Sequence, residues 1–289
     1  MPALSQHSSE KTLTTRILTE LGVLNRDSLF ADGLVAFWPL GLYPDARDMS
    51  LFGNHGSLEG GLSVSDLTGS GNRLGLKTDG SDDYVDCGYN SLFNTDIITV
   101  SAWAYSTNIS RYDRIVGGED RFQLLAGSSD KIFWRIASDD EGWKGGEFDT
   151  AISNNIWYHV VGTYDGSTLK AYLNGVQEET TYNHTGTIQD DTETIKIGRK
   201  SNEFLNYWIG LLDDIRIYNR ALSAAEVKQL YQDTLPGGYG DLLIPARRAA
   251  TWFVGGADGW THNIHGISNA NVGKIHGISL ASIGKVLGA

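Results

Sequence analysis

Apolar and polar positions along the chain follow two periods. Between Ser9 and Leu24, Leu13, Ile17, Leu21 and Leu24 recur at spacings of four, four and three, which sets them on one face of a short helix. From Gly33 the texture becomes that of strands. Leu34–Trp38, Tyr84–Cys87 and Ile98–Tyr105 read as strands, and the last alternates small or polar residues with large ones. Trp157–Tyr164, Leu169–Leu173 and Val176–Glu178 are separated by Asp165-Gly166 and Asn174-Gly175. These dipeptides accept positive φ and match the twist of paired strands, so the segment reads as a three-stranded meander. Thr194–Gly198 and Ile215–Tyr218 add two more strands. A second helix is announced by Ser223-Ala224-Ala225-Glu226, a capping box, with Val227, Leu230 and Tyr231 as its buried stripe. Asp233-Thr234-Leu235-Pro236-Gly237-Gly238 breaks it.

Many short strands with almost no helix between them predict an antiparallel all-β domain. Composition agrees: 35 glycines, 8 tryptophans and 13 tyrosines suit tight turns and aromatic-rich strands. The net charge of −12 argues against a nucleic-acid binder, which needs a basic face to neutralise phosphates. That charge is uneven: residues 237–289 carry +2 and residues 1–236 carry −14. The lone cysteine, Cys87, excludes an internal disulfide and a cysteine zinc cluster. No run of about 18 apolar residues predicts a membrane span, and no basic segment followed by an apolar run marks a secretory signal at the N-terminus.

The Gly-rich end has its own pattern. Residues 264–274 lie over residues 275–285 with eight of eleven positions identical, and residues 286–289 start a third copy. Two and a fraction copies are too few for a free-standing solenoid, and an odd period flips an ideal strand's faces between copies. The regular apolar positions Ile264, Ile267, Val272, Ile275, Ile278 and Ile283 therefore suit a strand-like arm buried against other subunits. The expected organisation is an N-terminal segment with a helix (1–32), a β domain (33–234) and a repeat arm (235–289).

The meander from Trp157 to Gly175 resembles that of laminin-G/pentraxin-like, concanavalin A-like lectin domains. Gly33–Leu40, Asp48–Gly56, Asp79–Val85 and Gly210–Ser223 resemble other segments of that family in its own order. The resemblance implies a two-sheet antiparallel jelly-roll sandwich over residues 33–234. It also implies a structural calcium near these loops. Asp79, Asp82, Asp213 and Asp214, with Asp83 beside them, offer the hard oxygens that calcium takes.

Sugar recognition needs an aromatic platform beside planar polar groups. Trp134, Arg135 and Trp143 are the candidates, with Trp143 placed in a Gly- and acid-rich loop and Trp134 more at home in a sandwich core. A retaining glycosidase on this fold would carry Glu-x-Asp-x-x-Glu on one strand face. That spacing is absent, as is a Gly-x-Ser-x-Gly elbow, so no enzyme is expected. The C-terminal repeats resemble terminal segments of tailed-phage and virus-like particle structural proteins. The combined expectation is a non-enzymatic virion structural or decoration protein that displays a glycan-binding domain on the particle surface. Its partners would be other virion subunits, copies of itself and glycans. The alternative is a bacterial extracellular or cell-surface calcium-dependent carbohydrate-binding protein.

Overall fold

A computed structural model describes residues 30–109, 112–127, 129–139, 141–199 and 206–235, together with the backbone of residues 274–275 and 278–279. The helix expected over 9–24 and the assembly positions Ile264, Ile267, Val272 and Ile283 lie outside the described residues. Contacts divide the chain into two units, Met1–Ile244 and Pro245–Ala289.

In chain order the strands of the first unit are β1 (Leu34–Trp38), β2 (Ser57–Glu59), β3 (Leu67–Ser70), β4 (Arg73–Asp79), β5 (Tyr84–Asp86), β6 (Ile98–Ser106), β7 (Asp113–Gly118) and β8 (Phe122–Ala126). They continue with β9 (Lys131–Ser138), β10 (Gly142–Ala151), β11 (Trp157–Tyr164), β12 (Thr168–Leu173), β13 (Val176–Asn183), β14 (Lys196–Ile197) and β15 (Ile209–Tyr218). One sheet runs β13-β12-β11-β6-β15-β4-β3, with β1 also paired to β15. The other runs β10-β9-β8-β7-β14-β5-β2. All strand pairs are antiparallel, and the sheets enclose one core, so the domain is a two-sheet sandwich.

The meander forms as its turn residues dictate. Asn174 and Gly175 have φ of 50° and 77°, both positive as a tight two-residue hairpin requires. The helix α1 (Ala224–Asp233) starts on its capping box. The Glu226 amide donates to Ser223 Oγ at 3.3 Å, and the Ser223 amide donates to Glu226 Oε2 at 2.7 Å.

The central strands of the eight-stranded sheet are buried on both sides. One face meets the sandwich core through Val35, Trp38, Val100, Ile215 and Ile217. Its other face carries Phe37, Val161 and Tyr218, which pack with Phe30 and with Leu222, Val227 and Leu230 at α1. The seven-stranded sheet is different. Its inner positions join the core; of the outward positions, Gln123 and Leu125 on β8 are buried, while Phe133 and Arg135 on β9 and Trp143 on β10 are half-buried.

In the second unit, residues 274–275 pair antiparallel with residues 278–279, Ile275 opposite Ile278. This pairing spans the junction of the two repeat copies, and extended backbone there fits the strand-like character expected of the arm.

Candidate functional site

The outer face of the seven-stranded sheet is built here by β7 to β10, four strands that the hydrophobic pattern alone left unassigned; its β7 and β8 positions are buried and its β9 and β10 positions partly exposed. In β9, Ile132, Trp134 and Ile136 point into the core. Successive side chains alternate, so Phe133, Arg135 and Ala137 point outward. Register then fixes their neighbours. Phe133 lies opposite Glu147, Arg135 opposite Gly145 and Ala137 opposite Trp143 on β10. On the other side Leu125 pairs with Phe133 and Gln123 with Arg135, and Arg114 on β7 pairs with Leu125.

Two of the three candidate sugar-binding residues meet here. The Arg135 guanidinium lies 4.3 Å from the Trp143 ring centroid and 5.4 Å from that of Phe133. Gly145, opposite Arg135, has no side chain to hinder this. A Cβ there would approach the Trp134 carbonyl oxygen to 2.3 Å, and its φ of 110° is glycine territory. Arg135 Nε donates to Gln123 Oε1 at 2.8 Å, and Gln123 Nε2 donates to the Glu119 carbonyl at 3.2 Å. The guanidinium is therefore held at its Nε while its other edge remains for a ligand. Trp143 is half-buried in β10, a correction to its placement in a loop. The Gly-rich composition that suggested a loop instead serves close packing against β9.

Trp134 is not part of this face. It is 0% exposed and its Nε1 donates to the Thr163 carbonyl at 3.1 Å. The neighbouring Phe133 takes the outward, half-buried position instead.

A cavity of about 320 Å³ opens beside the rings, lined by Tyr112, Arg114, Leu125, Phe133, Arg135 and Asn206. Tyr112 is 48% exposed and meets Phe133 edge-on, with ring centroids 6.3 Å apart and planes at 79°. Arg114 is 3% exposed, and its Nη1 has no hydrogen-bond partner. Burial, helped by the field of Arg135 and opposed by Glu119, lowers its pKa to about 9. Burial also lowers that of Arg135. Tyr112, Arg114, Leu125 and Asn206 escaped the sequence reading. The available signal was an arginine set directly before the apolar pair Ile115-Val116.

The expected calcium ligands separate into two groups. Carboxylate oxygens of Asp79, Asp82 and Asp83 lie within 4.8 Å of one another. Burial, with the charge of Asp79 next, raises the Asp83 pKa to about 6. Such mutual repulsion among hard oxygen donors suits a cation. Asp213 and Asp214 are engaged elsewhere, which corrects the four-residue set. Asp213 Oδ2 accepts from Arg73 Nη1 at 2.5 Å and its Oδ1 accepts from the Gly41 amide at 2.7 Å. Asp214 accepts from Arg216 Nε at 2.5 Å and from Nη2 at 3.1 Å. These four side chains are at most 2% exposed. Desolvated carboxylates already neutralised by arginine are poor ligands for a further cation.

Comparison with known proteins bears on the fold. The family model described as the concanavalin A-like lectin/glucanases superfamily matches residues 79–228. No curated protein sequence gives a significant match. Among solved structures, domain 4 of AbnA, a GH43 extracellular arabinanase from Geobacillus stearothermophilus seen in complex with arabinotriose, is similar at 19% identity and a TM-score of 0.55. That match covers 69% of this chain and 98% of the arabinanase domain. The receptor binding domain of the botulinum neurotoxin C/D mosaic serotype is similar at 17% identity and a TM-score of 0.56, covering 71% of this chain. The binding domain of Paraclostridial Mosquitocidal Protein 1 is similar at 19% identity and a TM-score of 0.54, covering 70% of this chain. In each toxin the similar region spans 52% of the solved chain. Identities this low speak to the shared fold.

Proposed function

The chain belongs to the concanavalin A-like lectin/glucanases superfamily, and on that premise we propose that it is a non-catalytic carbohydrate-binding protein. Its glycan docks on the outer face of the seven-stranded sheet. The observation that carries the reading is the Arg135 guanidinium set between the Phe133 and Trp143 rings beside the Tyr112 cavity. Aromatic faces stack on sugar rings, and a planar donor beside them orients hydroxyl groups. Among the described residues the cavity lining includes two arginines and no carboxylate, whereas glycoside hydrolysis needs two carboxylates flanking the bond. The bound arabinotriose of the similar arabinanase domain is consistent with sugar binding on this fold.

Binding of the full chain to a glycan array is the direct test. At least one oligosaccharide is expected to bind, and Trp143→Ala to weaken it by about tenfold through loss of ring contact. A blank array, or a Trp143→Ala variant with unchanged affinity, would remove this face from consideration.

In the same reading a structural calcium is held by Asp79, Asp82 and Asp83, supplying charge that offsets their repulsion. The repeat-bearing unit, Pro245–Ala289, joins the sandwich to other subunits of a virion, on whose surface the glycan site is displayed. What supports this is the near-identical eleven-residue repeat and the division of the chain at Ile244. Deleting residues 245–289 is expected to leave a folded, glycan-binding sandwich that no longer co-sediments with particles. Retained co-sedimentation would refute the anchor.

A further inference from the structure

We propose that the glycan carries an anionic substituent, a carboxylate or a sulfate ester, that docks against Arg114 and Arg135. This rests on the carbohydrate reading above and names the ligand class for the same face.

Three other buried arginines of this sandwich are matched by carboxylates. Arg73 pairs with Asp213, Arg216 with Asp214, and Arg121 with Asp191 at 4.0 Å. Arg114 and Arg135 break that pattern together. Among the described residues, no carboxylate lies within 4.0 Å of either guanidinium. Glu119 acts on both through its field without reaching either as an ion pair. Both arginines line one cavity, and the deeper of them keeps Nη1 without a partner.

Desolvating a guanidinium without neutralising it is unfavourable, and two such groups side by side repel each other. The pKa of about 9 for Arg114, set by burial and then by Arg135, records that cost. An oxyanion would relieve it. Carboxylate and sulfate oxygens match the planar donor edge of arginine and form charge-assisted hydrogen bonds stronger than those to a neutral hydroxyl. The excess is local, since the chain as a whole has a net charge of −12. It is therefore a pocket and not a stretch of basic surface. Tyr112, Phe133 and Trp143 then supply the ring contacts that a bare ion does not need. The cavity volume of about 320 Å³ sits at the small end of ligand sites, with room for one sugar residue.

The test is calorimetric titration of the full chain with a galacturonate trisaccharide, its fully methyl-esterified form and a sulfated galactose trisaccharide, each in the same salt. At least one acidic sugar is expected to bind tenfold or more tightly than the ester, and which one does identifies the anion. Arg135→Gln is expected to reduce acidic binding to the level of the ester. Arg114→Met is expected to do the same without lowering the melting temperature, because it replaces an unneutralised buried cation by an apolar chain. Should Arg114→Met fail to fold, Arg135→Gln, at a half-buried position, decides the matter alone. Equal affinity for the ester and both acids overturns the anionic proposal and leaves the carbohydrate reading standing. Failure of all three sugars together with a blank glycan array overturns both.

Discussion

Asp213→Asn is expected to destabilise the protein by about 3–5 kcal/mol, because it leaves a buried arginine facing a neutral group. Asp213 is fully buried and sits at the meeting point of three segments. Its Oδ2 accepts from Arg73 on β4, and its Oδ1 accepts from the Gly41 amide in the loop after β1. Arg73 also donates through Nη2 to the Thr234 carbonyl at the end of α1 and lies 4.0 Å from the Trp103 ring centroid. Asparagine can still accept from Gly41 but cannot neutralise Arg73, so the loss is mainly electrostatic. Urea unfolding measures it. Calcium separates this role from that of a metal ligand. At about a hundredfold excess over its dissociation constant, calcium stabilises a native state by about 2.7 kcal/mol. That gain is expected in the wild type and in Asp213→Asn alike, and is expected to vanish in Asp82→Asn. If Asp213→Asn instead abolishes the calcium response at little cost in stability, Asp213 is a ligand and the ion-pair account fails.

The sequence disclosed those features whose cause is local. Asn174-Gly175 and Ser223–Glu226 encode their turn and cap within a few residues, and both form. The meander was legible because its turns and apolar runs agree. Long-range compensation was hidden. Asp213-Asp214 interrupted the apolar run of β15, so that strand read as starting at Ile215 and the pair read as ligands. The charge that buries Asp213 comes from Arg73, 140 positions away. The strands β7 to β10 were missed because their outer face dilutes the apolar signal with Arg, Gln, Lys and Gly. At the candidate site, Arg135 and Trp143 were legible as chemistry, and parity decided the rest. Once β9 is a strand with Arg135 outward, Trp134 must point inward and Phe133 outward.

That parity predicts opposite consequences for two tryptophans. Trp134→Ala is expected to cost about 3–5 kcal/mol, the range for emptying a buried aromatic site. The ring packs against Phe122 at a centroid distance of 6.2 Å and lies over Gly162 of the facing sheet. A Cβ on Gly162 would come within 2.2 Å of the indole, so Gly162→Ala is expected to destabilise by about 1–3 kcal/mol through overpacking. The two changes share one contact and should not add: with the indole gone, the methyl of Gly162→Ala meets space, and the double variant is expected to fall short of the summed cost. Trp134→Phe keeps most of the volume while removing the Nε1 donor to Thr163. Measured below its melting temperature, it is expected to retain wild-type glycan affinity, whereas Trp143→Ala keeps its stability and loses affinity. A Trp134→Phe variant that unfolds like the wild type but binds weakly would put the indole at the ligand and contradict the inward orientation of β9.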